Sequence, residues 1–321
     1  MTSVLYTVDT ELSPGLHRKG VAADENLKIG VLGSVSDGEW GIGYQMRRLN
    51  EHNLKGVFFV EALCSYVVGE DILKRIVGPI LESGHEVQLH LHTEWLRWFG
   101  NDVLDGRQGS NISEFELPIQ KRLLDLGLEA LQRAGAPKPT AFRAGNYGAN
   151  NDTLRALTGV GIRFDSSYNY AVLGGDCRVT APAPIFTPQE LEGVVEVPIT
   201  VFEDYPGHIR PLQLCAVSAS EMRWAISESI ERAWPTAVVV SHGFELLNAT
   251  RTRSNPILLR RFDRLCSYLS EMSGRVRSVG FAELAADTRS DRQSAMLASN
   301  VLRTTHRTLE QAFGRLVYDR R

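Results

Sequence analysis

The residues best suited to chemistry lie in two short stretches of this chain. Asp9 and Glu11 end an apolar run at residues 4–8, and His90, His92 and Glu94 end another at residues 86–91. Side chains alternate across a strand, so Asp9 and Glu11 point to one side, as do His90, His92 and Glu94 if the second strand continues. Imidazole nitrogen and carboxylate oxygen both bind divalent ions. Two carboxylates and two imidazoles converging on one point would hold such an ion and leave an acid or base to spare. That combination points to metal-assisted hydrolysis.

Bringing these stretches together requires a fold that gathers strand ends. Apolar runs at residues 4–8, 56–60, 86–91, 140–143, 161–165, 194–199, 237–241 and 276–279 read as strands. Helical patterns fall between them at 42–52, 71–82, 117–134, 152–157, 219–232 and 256–272. Alternation of this kind predicts parallel βαβ units. Asp9, His90, Arg143 and His242 all sit where a strand ends, the position from which α/β barrels build their sites. The expected fold is a distorted (β/α) barrel of about seven or eight units, TIM-barrel-like, over residues 1–287, with a helical extension over 288–321. In the extension Leu302, Leu309, Phe313, Leu316 and Val317 recur at helical spacing beside several arginines. A helix there would pack on the barrel or on a second subunit, which leaves room for a homodimer; the alternative is contact with a membrane surface or an anionic glycan.

Composition bounds the partners. The net charge of −3 and pI of about 6.3 provide no basic field for nucleic acid or an anionic membrane. No apolar run approaches the ~18 residues of a membrane span, and no leader pattern opens the chain, so a cytoplasmic location is expected. Cys64, Cys177, Cys215 and Cys266 form no Cys-x-x-Cys pair and are expected as free thiols.

Several segments, in this order, resemble the polysaccharide deacetylase family. Gly56-Val57-Phe58-Phe59-Val60 resembles its Ala-Thr-Phe-Phe-Val strand, and Gly84-His85-Glu86-Val87 through His90 resembles its Gly-His-Glu-Ile-Gly-Asn-His segment. Arg143-Ala144-Gly145-Asn146-Tyr147-Gly148 resembles its Arg-x-Pro-x-Gly motif. Phe164-Asp165-Ser166, Val195-Glu196-Val197-Pro198 and His242 complete the order. Two motifs depart from the family pattern. The usual Thr-Phe-Asp-Asp-Gly reads Thr7-Val8-Asp9-Thr10-Glu11, which is preferred over Ser34-Val35-Ser36-Asp37-Gly38 because it ends a clear apolar strand. The usual His-x-x-x-His reads His90-Leu91-His92-Thr93-Glu94, so either His92 or Glu94 could join Glu11 and His90 on the metal.

The resemblance implies a metal-dependent hydrolase that removes an acyl group, acetyl first, from an amine of a sugar or surface-glycan precursor. It implies zinc, with manganese or cobalt as alternatives, and a small or oligosaccharide substrate. Asp9 would be the base, Arg143 its orienter, and His242 the acid with Asp165 behind it. Backbone N–H groups at residues 146–147 would receive the developing oxyanion, which places Asn146 and Tyr147 against the substrate. Trp95, with Trp98 and Phe99, would either stack on a sugar or pack in the core. Two alternatives keep the fold: hydrolysis of another small amide, such as a formyl or ureide group, or a metal-free barrel that binds a glycan or protein.

Overall fold

A computed structural model describes residues 1–100, 106–284, 288–289 and 294–318. Seven parallel strands carry the architecture: β1 (Thr2–Thr10), β2 (Gly56–Glu61), β3 (Glu86–Leu91), β4 (Ala141–Ala144), β5 (Phe164–Asp165), β6 (Val194–Glu196) and β7 (Thr236–His242). They lie in the order β7-β1-β2-β3-β4-β5-β6, with Gln189–Leu191 antiparallel outside β6 and Val276–Ser278 parallel against β1. The connections carry α1 (Ile42–Glu51), α2 (Asp71–Glu82), α3 (Leu117–Arg133), α4 (Asn151–Val160), α5 (Ala219–Glu231) and α6 (Pro256–Glu271).

The sheet curls into a half-barrel with one irregular side. Between β6 and β7 the gap is spanned by irregular backbone: Leu212 N–H donates to Thr200 O at 2.7 Å, and residues 212–214 exchange hydrogen bonds with Val240 at 2.9 Å. This is the distorted (β/α) barrel expected from the pattern, and its missing wall has a local cause. The strand expected over residues 194–199 ends at Glu196, close to Pro198, which has no N–H to give a ladder. The strand expected over 161–165 likewise shrinks to two residues, because Gly161 (φ 77°) closes α4 in the left-handed region.

Alternation along the strands sorts the barrel interior. Leu5, Val57, Phe59, Ala141, Phe164, Val195, Val197, Val238 and Val240 form one buried apolar cluster, with Val279, Phe281 and Leu284 packed into the same group. Glu86 holds that last segment in place, accepting from Phe281 N–H (2.8 Å) and Ala282 N–H (3.1 Å). The other face of the strands joins a larger cluster with the helices. Continuing the interior positions toward the strand ends leads to Asp9, His90, Arg143 and His242. Register places Asp9 opposite His242 on β7 and His90 opposite Arg143 on β4. The polar residues therefore form the top layer of an otherwise apolar interior.

Residue 287, where the barrel domain is expected to end, lies outside the described residues. The extension beyond it is tied into the fold. Leu297–Ala298 pairs with Val201–Tyr205, which also forms a hairpin with His208–Pro211 in a stretch that gave no pattern in sequence. Helix α7 (Val301–Val317) follows. Its Arg307 is almost fully buried, with Nε 3.1 Å from Glu221 and Nη2 2.5 Å from Asp204. Removing one member of a buried ion pair costs about 3–5 kcal/mol because the partner charge is stranded. Arg307→Met should therefore lower the urea midpoint by a corresponding amount with little change in slope. A surface-like loss below about 1 kcal/mol would show that α7 is only loosely attached.

Candidate active site

Glu11, one residue beyond the end of β1, reaches across to β3. Its Oε2 lies 3.4 Å from His90 Nε2 and 2.6 Å from His92 Nε2. The ligand atoms of these three residues lie within 4.8 Å of one another. Both imidazoles are held from behind. His90 donates from Nδ1 to the Arg143 carbonyl at 2.7 Å, and His92 Nδ1 lies 2.8 Å from Glu94 Oε2. A proton on each Nδ1 leaves the Nε2 lone pairs facing Glu11, the arrangement in which second-shell acceptors orient metal-binding histidines. Two imidazole nitrogens and a carboxylate oxygen, so aimed, fit a divalent ion. Glu94 sits on the other side of the His92 ring from Glu11, and its second oxygen accepts from Asn146 Nδ2 at 3.3 Å.

The local chain is shaped for this packing. Gly145 lies against His92, where an added Cβ would come within 2.7 Å of Nδ1. Beyond it Asn146 (φ 56°) and Tyr147 (φ 58°) both adopt the left-handed region, a strained pairing for non-glycine residues. Burial alone would raise the Glu11 carboxyl, but the His92 and His90 imidazoles outweigh it and hold the group well below the usual carboxylate range. For His92 burial disfavours the cation. The Glu11 charge and the carboxylate hydrogen bonds reverse that and keep it well above the usual imidazole value.

Asp9 occupies the floor beside this cluster. Arg143, with no solvent exposure, donates from Nη1 to Asp9 Oδ1 at 2.6 Å. The guanidinium is fixed by Ser166, through its carbonyl at 3.2 Å and hydroxyl at 3.3 Å, and lies 4.3 Å over the Phe59 ring. Burial raises the Tyr147 phenol, and the Asp9 charge adds to it. The Tyr147 ring packs against the apolar cluster of the barrel interior.

His242 closes the other side. Its Nδ1 lies 2.9 Å from Glu245 Oε2, and Glu245 also accepts from Cys215 N–H (2.9 Å) and Gln213 Nε2 (3.2 Å). Gln45 donates to the His242 carbonyl and in turn accepts from Tyr6 and Ser241. Burial works against the His242 cation, yet the Glu245 hydrogen bond and charge, helped by Asp9 and Glu11, lift its pKa to about 9. The same pair holds the Glu245 carboxyl down against its burial.

Two expectations need correction. Asp165 does not stand behind His242. It lies on the opposite face of its strand from Ser166, takes Ser167 N–H and Oγ, and shares a buried environment with Glu196 that raises both carboxyls. Trp95 is fully buried against Trp98 and His17, so its ring packs in the core and presents no face to a sugar. Asp37, the alternative to Asp9 in the first motif, binds Ser254 and Trp40 in a surface turn. Glu245, the partner that Asp165 was expected to be, stands three residues after His242, a spacing that a tight turn after a strand brings within hydrogen-bond reach. No sequence signal marks Gln213.

The His242–Glu245 pair makes a direct prediction. Followed by NMR, the His242 imidazole should titrate near 9 in the wild type and fall toward the ordinary ~6.5 in Glu245→Gln. A wild-type value already near 6.5 would show that the pair is broken in solution.

No model of a known protein family matches the chain, and no curated protein does. Solved structures do. A protein from Mycobacterium smegmatis, provisionally described as a polysaccharide deacetylase, is 16% identical, with a TM-score of 0.57 over 92% of this chain and 93% of its own. A peptidoglycan N-acetylglucosamine deacetylase is 12% identical, with a TM-score of 0.46 over 91% of this chain and 90% of its own. A Bacillus anthracis pseudoenzyme of carbohydrate esterase family 4 is also 12% identical, with a TM-score of 0.46 over 93% and 70%. The first of these speaks for the fold alone: the chain has the fold of the polysaccharide deacetylases.

Proposed function

We propose that this protein is a metal-dependent hydrolase that removes an acyl group, acetyl first, from an amine of a sugar or surface-glycan precursor. The observation that carries the proposal is the meeting of three units at the barrel's open end. The Glu11–His90–His92 cluster supplies metal-binding groups, Asp9 with Arg143 a held carboxylate, and His242 with Glu245 a held imidazolium.

Glu11, His90 and His92 would hold the ion, with Glu94 supporting His92 from behind. Bound there, a divalent ion would acidify water and polarise an acyl carbonyl. Asp9, aimed by Arg143, takes the proton from attacking water. Backbone N–H groups of Asn146 and Tyr147 would meet negative charge developing on the acyl oxygen. His242, cationic at neutral pH, donates its proton to the departing amine nitrogen, and Glu245 stabilises it until then. The same division of labour serves any acylated amine, so the sugar rests on the fold's resemblance and is the finer part of the proposal.

Metal content and activity test it separately. The purified protein should bind about one zinc, manganese or cobalt ion. His90→Ala, His92→Ala and Glu11→Ala should lose it, whereas Glu94→Ala should weaken binding by only about 10–100-fold. Complete loss in Glu94→Ala with retention in His92→Ala would reverse those two roles. With metal bound, acetate release from N-acetylglucosamine oligomers should fall by about 10²–10⁴-fold in Asp9→Asn and His242→Ala. A metal-loaded protein that releases acid from no acylated amine would sink the hydrolase reading.

The acid needs its proton, so the rate should drop as pH rises through about 9. Glu245→Gln should move that alkaline limb to lower pH. An unshifted limb would assign it to another group.

A further inference from the structure

Helix α7 packs in the opposite sense to an ordinary amphipathic helix. The face against the barrel is polar: Arg307 pairs with Asp204 and Glu221, Glu310 with Arg261 at 2.6 Å, and Thr304 Oγ1 donates to Asp204 O at 2.8 Å. Gly314 completes that face, close against Ile257. The apolar residues point to solvent instead. Leu302 is 81% exposed, Leu309 67%, Leu316 56% and Phe313 55%, with Val301 and Val317 also exposed at the two ends. These six dominate the exposed large apolar side chains among the described residues.

We infer that this face is a self-association surface, covered by α7 of a second copy of the chain. Two features favour that occupant. Leu302, Leu309 and Leu316 recur every seven residues, the spacing that keeps one seam of a helix facing another helix. Phe313 follows Leu309 by four, so it occupies the alternating position of the same seam. The area also suits a dimer. The six side chains expose on the order of 500 Å² of apolar surface, within the ~300–600 Å² of the largest patches on monomers. Doubled across a two-fold axis it reaches the ~1,000 Å² of a specific interface.

A lipid surface is the less suitable occupant. Interfacial helices flank the apolar face with rows of Lys and Arg. Here Arg307 is buried, Arg303 lies 5.0 Å over the Trp224 ring, and among the described residues of α7 only Arg315 has its guanidinium free. Two of the three arginines on the helix are engaged with its own barrel.

The full chain should sediment at micromolar concentration with twice its 35.7 kDa mass. Leu309→Glu combined with Leu316→Glu should halve that mass without changing the circular dichroism, since both side chains are exposed. Leu309 stands at the middle of the seam and meets its own copy in either helix orientation. Leu309→Cys should therefore form an intermolecular disulfide on mild oxidation, while the exposed control Asp71→Cys should not. A monomeric wild type at every concentration would overturn the inference. So would a dimer that survives the double substitution. Wild-type monomer that co-sediments with phosphatidylglycerol vesicles would assign the face to lipid and also overturn it.

Discussion

The site depends on one buried residue used twice. Arg143 has no solvent contact, and its side chain grips Asp9 while its main-chain carbonyl receives the Nδ1 proton of His90. One strand residue thus sets both the position of the carboxylate and the direction of an imidazole lone pair. A guanidinium is expensive to bury unless its donors are matched and its charge is met. Ser166, Asp9 and the Phe59 ring meet those needs, so the cation holds the top of the barrel in a single arrangement.

The same device recurs around the site with different partners. Each imidazole has a polar group behind it: the Arg143 carbonyl for His90, Glu94 for His92, Glu245 for His242. A neutral carbonyl fixes a tautomer, whereas a carboxylate also favours the cation. The carboxylate behind His242 lifts its pKa to about 9. His92 has carboxylates on both sides. An ion at its Nε2 would take the place of the proton that Glu11 now attracts.

The irregular wall between β6 and β7 bears on this arrangement. Residues 212–214 bond to β7 there, and Gln213 within them and Cys215 just after them both hold Glu245. A regular eighth strand would point alternate side chains away from the opening. The loose segment instead turns a backbone N–H and an amide toward the carboxylate behind His242. The same segment lies beneath α7, through Arg261, which joins Glu310 to the carbonyls of Leu214 and Cys215.

Much of this was legible in the sequence, because strand alternation is a local property. Once residues 4–8 and 86–91 are strands, Asp9, Glu11, His90 and His92 must share sides, and strand-end placement puts them at one rim. What a residue meets across the barrel is not local. Asp165 and Glu245 are both acids near suitable histidine-bearing strands, but only the pleat at Phe164–Asp165 turns the first outward and only the turn after His242 brings the second back. Trp95 follows the site histidines in sequence and is carried into the core by the turn at Thr93–Trp98. The apolar period of α7 was visible as well. Which of its faces would meet the barrel was decided by Arg307, whose partners Asp204 and Glu221 come together only in the folded chain. Sequence determined the elements and the chemistry at their ends. Tertiary structure decided the pairings, because they depend on distances between groups that no spacing along the chain records.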